Sequence, residues 1–209
     1  MEAEERFDLV VLAADNSIEA GVAALFDRND SMRTRQIRWK TLVHRDRDPG
    51  CFHTGPALLA NYQFQADYAL LIFDHDGCGQ EHLSREALEI DAERRMVQRG
   101  WAERCAVIVL DPELETWVWS DSSEVDEVLG WKGRQPALRD WLRENGLWKE
   151  GALKPADPKE AFKRALREVG ATPSSALFAK LSEKVSFRRC QDPAFQKLKT
   201  VLQRWFPQR

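Results

Sequence analysis

Apolar positions fall into two regimes along the chain. In the first 120 residues, four short apolar runs stand between stretches of helical spacing. Phe7-Asp8-Leu9-Val10-Val11-Leu12-Ala13-Ala14 is β-rich and short, the pattern of a strand buried on both faces. Gln36-Ile37-Arg38-Trp39-Lys40-Thr41-Leu42-Val43 alternates, as an edge or half-buried strand does. Tyr68 to Phe73 and Cys105 to Leu110 are again continuous and apolar. Between these runs, Ile18, Val22, Leu25 and Phe26 mark a helix over 18–28, and Gly55-Pro56 reads as the start of a helix over 55–65. Residues 81–99 are strongly charged with a thin stripe of Leu83, Leu88, Ile90 and Met96, which predicts a surface-lying helix.

The order β-α-β-α-β-α-β predicts an α/β fold: a mostly parallel four-stranded sheet flanked by helices. Past residue 120 the strand signal disappears. Helical patterns follow near 123–129, 136–145, 158–169, 174–186 and 193–205, with Asp157-Pro158 and Asp192-Pro193 as start signals. The expected organisation is an α/β domain over 1–130 and a helical C-terminal region over 131–209, packed on the first as one unit or separate from it.

Charge sharpens this division. From Trp131 onward there are 18 Lys and Arg against 8 Asp and Glu, a net of +10; subtraction from 31 and 34 leaves 13 against 26 in 1–130, a net of −13. An acidic part followed by a basic part suits a metal-dependent enzyme acting on a polyanion, and equally an acidic domain docking its own basic appendage. No apolar run approaches the ~18 residues of a membrane span, and the acidic start Met1-Glu2-Ala3-Glu4-Glu5 is unlike a secretory signal, so a cytoplasmic protein without membrane contact is expected. Cys51, Cys78, Cys105 and Cys190 are scattered without a CxxC pair, which reads as four reduced thiols and not as a zinc site or disulfide framework.

The candidate chemistry lies at the strand ends, where parallel sheets collect functional groups. Asp15-Asn16-Ser17-Ile18-Glu19 follows the first run, Asp74-His75-Asp76-Gly77 the third, and Asp111-Pro112-Glu113-Leu114-Glu115 the fourth. One acidic strand end is an ordinary helix cap. Three on one edge repel each other unless a cation lies between them. Mg²⁺ or Mn²⁺ fits, because hard cations take carboxylate oxygens together with water and phosphate. The candidate metal ligands are therefore Asp15, Glu19, Asp74, Asp76, Glu113 and Glu115, with Asp15, Asp74 and Asp76 as the candidate catalytic set.

These motifs resemble those of the Toprim superfamily, which carries Glu-Gly-x-x-Glu after its first strand and Asp-x-Asp after a later one. Asp15-Asn16-Ser17-Ile18-Glu19 is similar to the first, with Asp for Glu and Asn for Gly, and Asp74-His75-Asp76-Gly77 matches the second. Pro112-Glu113-Leu114-Glu115-Thr116-Trp117 resembles the Pro-x-x-Glu-x-Trp of small OLD-like and RloB-like bacterial defence proteins, among them a component of methylation-associated defence systems. The match covers about residues 7–120, and the tail, with Ala176 to Lys180 and Pro193 to Phe195, follows only loosely. The resemblance implies a Toprim-like fold, metal-dependent cleavage of DNA or RNA, and other defence-system subunits as partners. The shorter Asp15 leaves open a subunit that binds or assembles without cleaving. A dehalogenase-type phosphohydrolase is disfavoured, since it places D-x-D after the first strand.

Candidate nucleic-acid contacts are Arg45 and Arg47 in the loop after the second strand, Lys132 and Arg134 among Trp131, Trp141 and Trp148, and Arg188 with Arg189. Each has a plain alternative. The loop reads equally as a mixed-charge solvated turn, the tryptophans as helix-core contacts, and the tail cations as solvated helix faces.

Overall fold

The structure, a computed structural model, describes residues 6–120, 122–188 and 190–208. Four strands, β1 (Phe7–Ala13), β2 (Trp39–Val43), β3 (Ala66–Asp74) and β4 (Cys105–Leu110), form one all-parallel sheet in the order β2-β1-β3-β4. Continuous apolar runs give β1, β3 and β4 because helices cover both faces, and every side chain from Leu9 to Ala14 is fully buried. The shorter β2 is an edge strand with every residue partly exposed, as its alternation implies.

From β1 the chain crosses to β2 on one side, then returns over β1 to reach β3 and β4 on the other. Right-handed crossovers therefore place α1 (Asn16–Phe26) on one face and α3 (Arg47–Ala60) with α4 (Arg85–Met96) on the opposite face. The direction of winding changes between β1 and β3. That junction is the switch point at which open α/β sheets leave a crevice beyond their carboxyl ends.

Three helices differ most from the sequence expectation. Residues 29–32 form a short helix, α2 (Asn29–Met32), that the pattern did not announce. The helix expected over 55–65 begins eight residues earlier, so Pro56 lies inside α3 and not at its start. Proline there leaves the Phe52 carbonyl without its intrahelical donor. Arg95 of α4 supplies it: Nη1 donates to Phe52 O at 2.6 Å while the guanidinium lies 4.5 Å from the Phe52 ring centre. Gly55, the neighbouring residue, lets the helix approach the sheet, since a Cβ would stand 3.0 Å from Leu71 and 3.2 Å from Leu12.

The helix expected at the surface over 81–99 is shorter and more deeply engaged. Val107 and Val109 point their N–H groups off the free edge of β4, and carboxylates of α4 accept both. Glu93 takes Val107 at 2.9 Å and Glu89 takes Val109 at 3.0 Å. Glu89 is buried, ion-paired with Arg85 at 2.8 Å and with Lys197 at 3.1 Å. Side chains thus close an edge that would otherwise template another strand.

The C-terminal helices are α5 (Ser123–Val128), α6 (Leu138–Glu144), α7 (Pro158–Glu168), α8 (Ser175–Lys184) and α9 (Pro193–Trp205). They share one hydrophobic core with the sheet. α8 lies along α1, where Gly21 faces Phe178 and Ser182, and α9 covers β4, with Trp205 stacked on Tyr68 at 4.6 Å. Among the described residues, no helix is long and apolar enough to cross a membrane.

Candidate metal centre

At the switch point the strand ends deliver carboxylates to one place. Asp74 is the last residue of β3, and after β4 come Glu113, just before the turn Leu114–Trp117, and Glu115 within it. One oxygen from each of Asp74, Glu113 and Glu115 lies within 4.8 Å of the others, and all three residues are buried, at 8%, 4% and 8% exposure. Two main-chain amides fix this arrangement. Leu114 N donates to Asp74 Oδ1 at 2.9 Å, and Asp74 N donates to Asp48 Oδ1 at 2.8 Å.

Asp48 sits in the first turn of α3, and a small polar network sets that turn. Asp46 N donates to His44 Nδ1 at 3.0 Å, so His44 Nε2 carries the proton and donates to Thr54 Oγ1 at 2.9 Å. The Thr54 hydroxyl in turn donates to Gly50 O at 3.0 Å. Gly50 leaves room for the imidazole: a Cβ there would lie 2.2 Å from His44 Nδ1. His44 is therefore structural. It shapes the turn that presents Asp48 to the end of β3.

Crowding and burial work against ionisation here. Burial, with the fields of Asp48, Glu115 and Asp15, pushes the Asp74 carboxyl well above the usual carboxylate range. Burial likewise raises Asp48, with Asp15 adding to it, and raises Glu115, with Glu113 adding to it. Opposing them is Lys159, which reaches in from α7 to ion-pair with Glu113 at 2.5 Å. Burial opposes charge on Lys159 too, yet its bond to Glu113 and the fields of Glu115 and Asp74 hold the ammonium above its ordinary pKa. The start of α7 is seated by Trp119, whose indole donates to Pro158 O at 3.0 Å, and by Asp157, which caps Glu160 N at 2.8 Å.

One lysine leaves several carboxylates unbalanced. The donor set is all hard oxygen, close-set and partly buried, which fits Mg²⁺ or Mn²⁺ and does not suit a softer metal. The fit is of residue type and spacing: Asp74, Glu113 and Glu115 could hold a divalent cation, and nothing in the spacing selects the metal.

The six ligands expected from sequence divide into three groups. Asp74, Glu113 and Glu115 come together. Asp15 lies close enough for its charge to act on Asp48, Asp74 and Glu115, but its Oδ1 caps α1, accepting Ser17 N at 2.8 Å and Ile18 N at 2.9 Å. Glu19 and Asp76 stand outside the cluster. Glu19 accepts the Thr41 hydroxyl of β2 at 2.7 Å, and Asp76 is 62% exposed on the rim of a groove that also includes Gly77, Pro112, Glu113, Lys159 and Lys163. His75, between the two aspartates, turns away and bonds Leu83 O at 2.8 Å.

Asp48 and Lys159 were missed. Asp48 obeys the same strand-end rule as the others, since it follows β2, but its surroundings disguised it as a solvated turn. Lys159 had no signal beyond the Asp157-Pro158 helix start.

Of the expected nucleic-acid contacts, Arg45 and Arg47 are exposed on the turn that carries Asp48. Lys132 pairs with Glu127 at 2.8 Å, and Arg134 pairs with Glu168 at 3.5 Å and lies over Trp131. Trp131 and Trp148 are buried in the core and do not offer stacking faces, and the half-buried Trp141 packs against Trp131. Arg188 is exposed, and Arg189 lies outside the described residues. In comparisons with known proteins, the chain matches no family model, no curated protein and no solved structure.

Proposed function

We propose that this chain is a Mg²⁺- or Mn²⁺-dependent nuclease that hydrolyses phosphodiester bonds of DNA or RNA. One observation carries the reading: the buried oxygens of Asp74, Glu113 and Glu115 converge within 4.8 Å at the switch point of a parallel sheet, with too little positive charge to balance them. In that reading Asp74, Glu113 and Glu115 hold the cation. Asp48 and the Leu114 amide keep the Asp74 carboxylate aimed inward. Asp15 stands by as a further ligand or proton acceptor, and Asp76 lies on the rim of the groove, outside the cluster. Once bound, such a cation polarises a phosphoryl oxygen and favours deprotonation of a coordinated water. The Toprim-like motifs support the same chemistry. They add a setting, a prokaryotic anti-phage complex with other subunits.

A second reading has its own support. Asp15 is spent on capping α1, and its arm is one methylene shorter than the glutamate of the motif it resembles. A subunit that binds metal and partner without cleaving is the consequence if Asp15 is required for proton transfer. Plasmid DNA and structured RNA incubated with Mg²⁺ or Mn²⁺ decide between them. Cleavage by the wild type that disappears in Asp74→Asn and with chelator supports the nuclease. Intact substrates despite bound metal support the non-cleaving subunit.

A further inference from the structure

α7 begins beside the candidate metal centre, and three of its four positive charges lie along one line. Lys159, Lys163 and Arg167 follow each other at intervals of four residues, so they share a face at a rise of roughly 6 Å per step. Lys159 is the member inside the cluster, paired with Glu113. Lys163 lines the groove beyond it, together with Asp76, Gly77 and Pro112. Arg167 is exposed one further turn away. Neither Lys163 nor Arg167 has an ion-pair partner among the described residues, in contrast to Lys132, Lys184 and Arg134, which are all held by carboxylates.

The opposite face of α7 is rigidly mounted. Ala161, Phe162, Ala165 and Leu166 are buried, Trp119 donates to Pro158 O, and Trp131 donates to Ala165 O at 3.1 Å. A fixed row of cations at this interval is comparable with the step between neighbouring phosphates along one strand, and phosphate contacts of this kind set register without reading bases. The groove also carries Asp157 and Glu160, so a polyanion gains there only through the row and a cation in the cluster.

We propose that Lys163 and Arg167 form a track for the phosphodiester backbone of a nucleic-acid strand, leading it along α7 into the Asp74 cluster. The inference rests on the phosphodiesterase reading of that cluster and names the path by which the substrate enters it.

The test uses the full chain with Ca²⁺ in place of Mg²⁺, fluorescent single-stranded DNA and RNA oligonucleotides and the matching duplex, and anisotropy at several salt concentrations. Lys163→Glu/Arg167→Glu is compared with wild type and with Lys180→Glu, an exposed charge reversal on α8. The track requires a loss of ~10-fold or more in the double variant and little change in Lys180→Glu. The salt slope should fall by about 0.7–0.9 per lost contact. The arm that loses most, DNA, RNA or duplex, names the source of the strand. Affinity equal to wild type, an equal loss in Lys180→Glu, or a wild type that binds no oligonucleotide overturns the proposal. Mg²⁺ calorimetry on the same samples keeps the two claims apart. Absent heat in wild type defeats the metal reading, whereas unaltered oligonucleotide affinity in the double variant defeats the track.

Discussion

The carboxylate of Asp48 accepts the main-chain N–H of Asp74 at 2.8 Å, tying the first turn of α3 to the last residue of β3. Asp74 in turn accepts the amide of Leu114, so three consecutive strand ends are linked by two hydrogen bonds. The same contacts that set the geometry bring negative charges together. Carboxylates assembled in this way repel one another, and that repulsion is measurable.

Asp74→Asn retains an oxygen for Leu114 N–H and removes the repulsion. The variant should be more stable than the metal-free wild type and should lose the rise in Tm that Mg²⁺ produces. Folding raises the Asp74 pKa, so between the unfolded and folded values the native state holds more protons. The Asp74 contribution to the stability of the metal-free wild type therefore falls as pH rises above ~4, and Asp74→Asn lacks that part of the slope. Thermal scans from pH 4 to pH 8, with and without Mg²⁺, check both statements.

Gly50→Ala should damage fold and site together. Its Cβ would overlap the His44 imidazole, and the Asp48 turn would have to shift. A loss of about 1–3 kcal/mol, as for an overpacked core position, is expected in urea unfolding, with weaker Mg²⁺ binding in the fraction that folds. Unchanged Mg²⁺ affinity would separate this turn from the metal site.

Pro56 and Arg95 form a compensating pair. Arg95→Met strands the Phe52 carbonyl and should destabilise by about 1–3 kcal/mol. Pro56→Ala in the same background restores an N–H four residues along the helix and should recover part of that loss. Unfolding midpoints of the two single variants and the double variant give the coupling directly. Additive effects would contradict the pairing.

Away from the site, Asp8 accepts both Arg35 nitrogens at 3.0 Å and Arg38 N at 2.7 Å. The Arg35 hydrogen bonds hold its carboxyl below the usual range despite partial burial. A lowered folded-state pKa stabilises above the unfolded value of ~3.8 and is lost as pH falls through the folded one. Asp8→Asn should be less stable than wild type at pH 7, by up to about 1 kcal/mol for so exposed a pair, and the gap should close as pH falls below the ordinary aspartate range.

Much of this architecture is legible in the residues themselves. Runs without alternation, such as Ala69 to Phe73, announce strands covered on both faces, and Asp-Pro at 157–158 and 192–193 marks the starts of α7 and α9. The acidic strand ends lead to Asp74, Glu113 and Glu115. What stays hidden is what depends on distant partners. Pro56 reads as a helix start because nothing local says that Arg95, 39 positions along, will take its stranded carbonyl. Glu89 reads as surface charge until the edge of β4 is laid against it. Asp48 looks like half of an arginine-aspartate turn, and Lys159 meets Glu113 only through the packing of α7 beside Trp119.

Isothermal calorimetry of Mg²⁺ and Mn²⁺ with wild type, Asp74→Asn and Glu113→Gln/Glu115→Gln reads the candidate metal centre itself. Saturable binding by the wild type, weakened at least ~10-fold in both variants while each remains folded, is the expected result. A wild type that takes up neither cation, or variants that bind as tightly as it does, would contradict the assignment of Asp74, Glu113 and Glu115 as a metal centre.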